Sequence, residues 1–175
     1  MSLTLPYITL ATFNQIFEDI ADRHPMINSY YFGTEFNIGA TSSPVYPYMA
    51  ILPNKVAKYN GGKVNNPSAW NSKEMEFDMI IMDKINKSDP NYIDTISLCE
   101  YISDTVIGEI TNAILYNNIY MVIKSIKATY VWEGTIDNAN GVRTTITFEV
   151  IQASTPCNNP QAPAPNIINN NIQTI

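Results

Sequence analysis

Between Ile126 and Val150 the chain alternates apolar and polar residues twice, on either side of a run of turn-forming residues. Ile126, Ala128, Tyr130 and Trp132 take every second position of the first stretch, and Val142, Ile146, Phe148 and Val150, with Thr144 in step, do so in the second. Successive side chains of a strand point to opposite faces, so a repeat of two describes a strand with one apolar face. The connector Asp137–Asn138–Ala139–Asn140–Gly141 is rich in Asn and Gly, which accept the positive φ of tight turns. An antiparallel hairpin is therefore predicted. A hairpin alone is marginal in water, so the rest of the chain must supply further strands and a cover.

Those strands are legible upstream. Met75, Phe77, Met79 and Ile81 alternate with Glu74, Glu76 and Asp78, which predicts a half-buried strand from Glu74 to Lys84. Near its end Ile80 and Met82 make both faces apolar. Val45 to Leu52 reads as a second strand closed by Pro53, and Pro47, which has no N–H to donate, puts its start or its whole length on an edge. Residues 28–38 read as a strand and a loop. Asn54 to Ser72 carries Gly61, Gly62 and Pro67 with little periodicity and is predicted to be a long loop.

Two helices cover this sheet in the expected fold. Leu10, Phe13, Ile16, Phe17 and Ile20 form one apolar stripe, so a helix runs from about Thr9 to Arg23 and stops at Pro25. Thr12 with Gln15 resembles a capping box, and Thr9 is an alternative cap. A longer helix is predicted from Pro90, capped by Asp89, to about Leu115, with Ile93, Ile96, Ile102, Val106, Ile107, Ile110 and Ile114 on its apolar side. Gly108 is its weak point, and Asn117 and Asn118 end it. The fold class is α+β: a mixed, mainly antiparallel sheet with a long helix and a short N-terminal helix packed on it. This domain spans residues 1–152.

From Ala153 the character changes. Pro156, Pro160, Pro163 and Pro165 interleave with Asn, Gln and Ala, and the sequence runs on into NIINNNIQTI. That proline spacing excludes a helix or a central strand. An extended segment of about 21 residues reaches on the order of 65 Å. Residues 153–175 are accordingly expected to form an extended arm, with Ile167, Ile168, Ile172 and Ile175 as anchors and Pro156 and Pro160 in its stem. A solvated terminus is the plainer alternative.

Composition narrows the function. The chain is 45% hydrophobic and only 15% charged, with a net charge of −6. Polarity carried by Asn, Ser, Thr and Tyr suits surfaces that neighbours will cover, because burying an amide costs less than burying a charge. An AT-rich genome would also enrich Asn, Ile and Tyr. Lys55, Lys58 and Lys63 are the nearest approach to a basic cluster, too sparse to neutralise phosphates. Two cysteines, Cys99 and Cys157, give neither a disulfide framework nor a CxxC metal motif, and Cys99 reads as a small core residue. There is no signal-peptide pattern and no run of the roughly 20 apolar residues that a membrane span needs.

No catalytic constellation emerges, and neither an enzyme nor a cofactor is expected. The single histidine, His24, lies in an exposed-looking position after the first helix and is read as a C-terminal cap. Gly61–Gly62–Lys63 lacks the flanking elements of a phosphate loop. Glu74, Glu76 and Asp78 share one strand face, spaced for mutual repulsion and unlike the opposed carboxylates of a glycosidase. Repeated around a ring, such a row would line a channel with negative potential and keep DNA from sticking. The alternative is an ordinary solvated strand face.

The element order, with VYPYMAIL and EMEFDMIIM ahead of a helix at Asp89–Pro90 and a hairpin after it, resembles the tail-terminator and neck (head-tail connector) ring proteins of tailed phages. Low charge, abundant Asn and the arm are similar to a ring protein of the short-tailed crAss-like phages. The resemblance covers about residues 9–152 and carries no functional residue across. It implies a non-catalytic virion protein, assembled in the host cytoplasm. Such a protein forms a hexameric or dodecameric ring against adjacent portal, neck or tail proteins, and DNA passes through without specific binding. The alternative is a small-ligand or peptide-binding module with an aromatic-rich sheet, to which Tyr30, Tyr31, Tyr46, Tyr48, Tyr101, Tyr130 and Trp132 would contribute.

Overall fold

The computed structural model describes residues 8–34, 44–54, 58–60, 71–85, 92–116, 121–131 and 139–152. Two helices, α1 (Leu10–Arg23) and α2 (Ile93–Tyr116), pack on a mixed, mostly antiparallel sheet, so the α+β class holds. The strands are β1 (Ser29–Phe32), β2 (Tyr48–Pro53), β3 (Lys58–Asn60), β4 (Asn71–Lys84), β5 (Met121–Val131) and β6 (Ala139–Gln152). Their order is β1-β2-β4-β6-β5, and β3 adds to β4 off this path. Among the described residues, β1 and β2 run parallel and the other pairs are antiparallel.

The alternation of β4 and β6 does what its period demands. Met75, Phe77, Met79 and Ile81 of β4 and Val142, Ile146, Phe148 and Val150 of β6 lie in one buried cluster under the helices. Phe13 and Phe17 of α1 reach into it, with Phe13 centred 4.6 Å from Phe77 and 5.0 Å from Phe148. Tilted and edge contacts of this kind add about 0.5–1.5 kcal/mol per pair to the burial itself. On the opposite face Tyr48, Ala50, Leu52, Ile80, Met82 and Ala139 form a second, smaller cluster. The two-sided apolarity read at Ile80 and Met82 is thus real.

Several expectations are corrected. The cap of α1 is Thr9: its side chain accepts from Thr12 N, and the Thr12 hydroxyl accepts from Thr9 N, both at 3.2 Å. Reciprocal capping of this kind is worth about 1 kcal/mol. Leu10 therefore sits at the first helical position and is 48% exposed, off the stripe that Phe13, Phe17 and Ile20 bury. Pro47 does not mark an edge, because β2 lies between β1 and β4 and begins one residue beyond the proline. Within the predicted 54–72 loop, β3 pairs with Ser72–Glu74, and β4 already starts at Asn71. Ala139, Asn140 and Gly141, expected in the turn, are buried residues of β6 paired with Lys84, Asp83 and Met82.

Helix α2 begins at Ile93, where Ile96 N donates to Tyr92 O at 3.1 Å, and it passes through Gly108 without a break. Asp89 and Pro90, Asn117 and Asn118, Trp132 and the rest of the turn lie outside the described residues. So do residues 153–175, with Pro156, Pro160, Ile167, Ile168, Ile172 and Ile175.

Candidate functional site

Among the described residues, His24 and Cys99 are turned inward and hydrogen-bonded. His24 caps α1 as read, but it is buried, not exposed. Met26 N donates to its Nδ1 at 3.2 Å, so Nε2 carries the proton and donates to the Thr105 hydroxyl at 2.8 Å. Thr105 in turn donates to Ile102 O at 2.8 Å. Both ring nitrogens are thus engaged, Nδ1 in the turn that follows α1 and Nε2 in a bond across to α2. Cys99 is fully buried on the inner side of α2, the small core residue expected, and burial pushes its thiol up to about 12. A thiol held protonated is a poor nucleophile and a poor metal ligand. Burial likewise raises Tyr48 to about 12, with Tyr31 and Tyr46 contributing next, and raises Tyr30, whose hydroxyl donates to Asn14 Oδ1 at 3.0 Å.

The acidic row is assembled on β4 as its spacing requires, on the sheet face away from the helices, and each carboxylate has a partner there. Asp78 accepts from Arg143 Nη2 and from the Thr145 hydroxyl, both at 2.5 Å. Glu76 accepts from Asn54 Nδ2 at 2.5 Å, and Glu74 is ion-paired with Lys124. The hydrogen bond to Glu74 is also the main reason the Lys124 ammonium is raised. Strand register places Glu149 beside Glu74 on β6, Lys58 opposite it on β3, and Lys127 on β5 across from Thr145. The row is therefore set among cations, with Lys84 at its far end 5.5 Å over the Tyr46 ring. Sequence reasoning missed Lys124, Arg143 and Asn54 because each reaches the row only through strand register. Lys124 does so at the irregularity between Ile123 and Ser125.

The surface least like a finished exterior is β5. Its outer side pairs with no strand among the described residues, so it is an edge. After Met121 it is exposed almost throughout, with Val122, Ile126 and Tyr130 about half exposed at 52%, 46% and 52%. The expected half-buried row Ile126, Ala128 and Tyr130 is correctly phased with Ile146, Thr144 and Val142 of β6, but α2 stops short of covering it. At its margin the Tyr130 hydroxyl donates to Glu100 Oε1 of α2 at 3.3 Å. Tyr101 and Ile93 of α2 are also exposed, at 58% and 59%.

Among the described residues no group of three or more His, Cys, Asp or Glu could hold a metal ion, and no helix is long and apolar enough to cross a membrane. No protein-family model matches the chain, and no curated protein matches it.

Proposed function

We propose that the protein is a structural virion component, a subunit of a homo-oligomeric ring in the neck or tail of a tailed phage. The ring, of six or twelve copies, joins the portal or head to the tail around the DNA channel. The observation that carries this reading is β5: an eleven-residue edge strand exposed on both faces, beside a well-built core. An open backbone edge with an apolar row is a template for another chain, and soluble monomers normally blunt such edges. Head-to-tail repetition of one such contact closes a ring. The bonded state of His24 and the protonated Cys99 thiol fit a protein whose work is contact. In the ring, the face bearing Glu74, Glu76 and Asp78 would meet the DNA. Its carboxylates and cations balance locally, so it would offer passing phosphates no strong basic grip.

Light scattering on the purified chain, followed by negative-stain microscopy, tests the reading. The expected result is particles of six or twelve times the 19.6 kDa chain mass, alone or once neighbouring virion proteins are added. The other candidate is a binding module built on the Tyr31, Tyr46 and Tyr48 cluster, in which Tyr46 and Tyr48 stand edge to face at 6.5 Å. A single-copy mass under all these conditions, with saturable small-molecule or peptide binding at those tyrosines, would replace the ring by that module.

A further inference from the structure

Beyond the ring, and independent of it, we propose that Asn140–Gly141 is a self-modification site that the fold keeps shut. In the folded chain the Asn140 amide is preserved; once the strand opens, it converts to an acid that β6 cannot take back.

The chemistry lies in the dipeptide. The backbone nitrogen of Gly141 attacks Cγ of Asn140. A Cγ–N bond forms, the Cγ–Nδ2 bond breaks, and Nδ2 departs as ammonia with the proton that Gly141 gives up. Water then opens the five-membered imide at either carbonyl, which leaves aspartate or a β-linked isoaspartate at position 140. Glycine favours the attack because it carries no side chain to crowd the approach. The sequence holds two such pairs, Asn60–Gly61 and Asn140–Gly141.

The fold shuts the second. β6 lies between β4 and β5, where Asn140 pairs with Asp83, and Gly141 pairs with Met82 on one side and Val131 on the other. Asn140 is fully buried, and its backbone oxygen accepts from Cys99 Sγ at 3.8 Å. Closing the imide requires the peptide between the two residues to rotate out of the extended conformation, which tears it from the ladder. There is no room for that rotation towards β4. The backbone at Gly141 lies so close that an added Cβ would come within 1.9 Å of Ile81 O.

Neither product fits the closed strand. Aspartate at 140 would bury a carboxylate directly across from Asp83, whose own carboxyl is already raised by burial. Like charges directly opposite are destabilising, and a buried charge without a counterion is more so. Isoaspartate routes the main chain through Cβ and lengthens it by one atom. Residues on one side of position 140 must then fall out of step with Ile81–Lys84. Opening at this point is therefore followed by a reaction that prevents closing.

The full-length chain tests this directly. It is held at mildly alkaline pH in buffer or in denaturant, and peptide mapping by mass spectrometry reads residue 140. Asn60–Gly61 in denaturant serves as the unfolded reference. Both pairs should convert at similar rates in denaturant, and Asn140 in buffer should convert at least about tenfold more slowly, since it must wait for local opening. Equal conversion of Asn140 in the two conditions overturns the proposal. The variant Asn140→Asp supplies one product at once. It should unfold at lower denaturant than the natural chain, or fail to fold, and an unchanged midpoint sinks the claim that β6 rejects the acid.

Discussion

Strands β5 and β6 belong to one hairpin, alternate in the same way and pair residue against residue, yet they occupy different environments. Along β6, Val142, Thr144, Ile146, Phe148 and Val150 are buried under α1 and α2. Directly across from three of them, Tyr130, Ala128 and Ile126 are exposed. Alternation therefore establishes that a strand has an apolar face, and says nothing about what covers it. Cover comes from the helices. α1 places Phe13 and Phe17 over β4 and β6, and α2 runs above the same two strands, so the helical layer covers only the Met121 end of β5.

The sharpest way to break this contrast is at the centre. Phe77→Ala empties a fully buried site ringed by Phe13, Phe17, Phe32 and Phe148, and should cost about 3–5 kcal/mol in chemical denaturation. A loss below about 1 kcal/mol would mean that the β4–β6 core is loosely packed. Next is Gly141→Ala. An added Cβ would come within 1.9 Å of Ile81 O on β4, a backbone atom with no freedom to swing aside. A loss of about 3 kcal/mol is expected, toward the upper part of the usual overpacking range, with the thermal midpoint lowered accordingly.

Smaller effects sharpen the comparison. Ser103 of α2 and Thr144 of β6 share a buried hydroxyl–hydroxyl bond of 2.8 Å. Thr144→Val strands the Ser103 hydroxyl and should cost about 1–3 kcal/mol. Adding Ser103→Ala should recover part of that loss, and a double-mutant cycle with no coupling would show that the bond contributes nothing. Smallest of all, Ile126→Ala on β5 should change monomer stability by less than about 0.5 kcal/mol. Its effect should fall instead on association, read as a lowered particle mass in light scattering. A loss of several kcal/mol in the isolated subunit would place β5 in the core after all.

What was legible in the sequence was local. The Phe13–Phe17–Ile20 stripe gave α1 almost to its ends, and the Met75–Ile81 alternation gave β4, because period and cap residues act within a turn or a few residues. What needed partners far along the chain was not legible. Ala139–Gly141 carry turn-forming residue types, yet they are strand because β4 extends far enough to pair with them. β3, three residues long, exists through its bonds to Ser72–Glu74. His24 looked exposed beside a proline, and only the approach of Thr105 from α2 buries it. The acidic row was read correctly as one strand face, whereas its counterions Lys124 and Arg143 depended on a register that no local pattern specifies.

The clasp at His24 has a mechanical consequence. Through Thr105 and Ile102 O the end of one helix is riveted to the middle of the other, and the Arg23–Glu109 pair at 3.5 Å lies farther along the same seam. Sliding either helix along the other breaks this bond, so it holds α1 and α2 in one register on the sheet. That fixed register keeps Phe13 and Phe17 over β4 and β6 and leaves the Ile126–Ala128–Tyr130 row of β5 outside the helical cover.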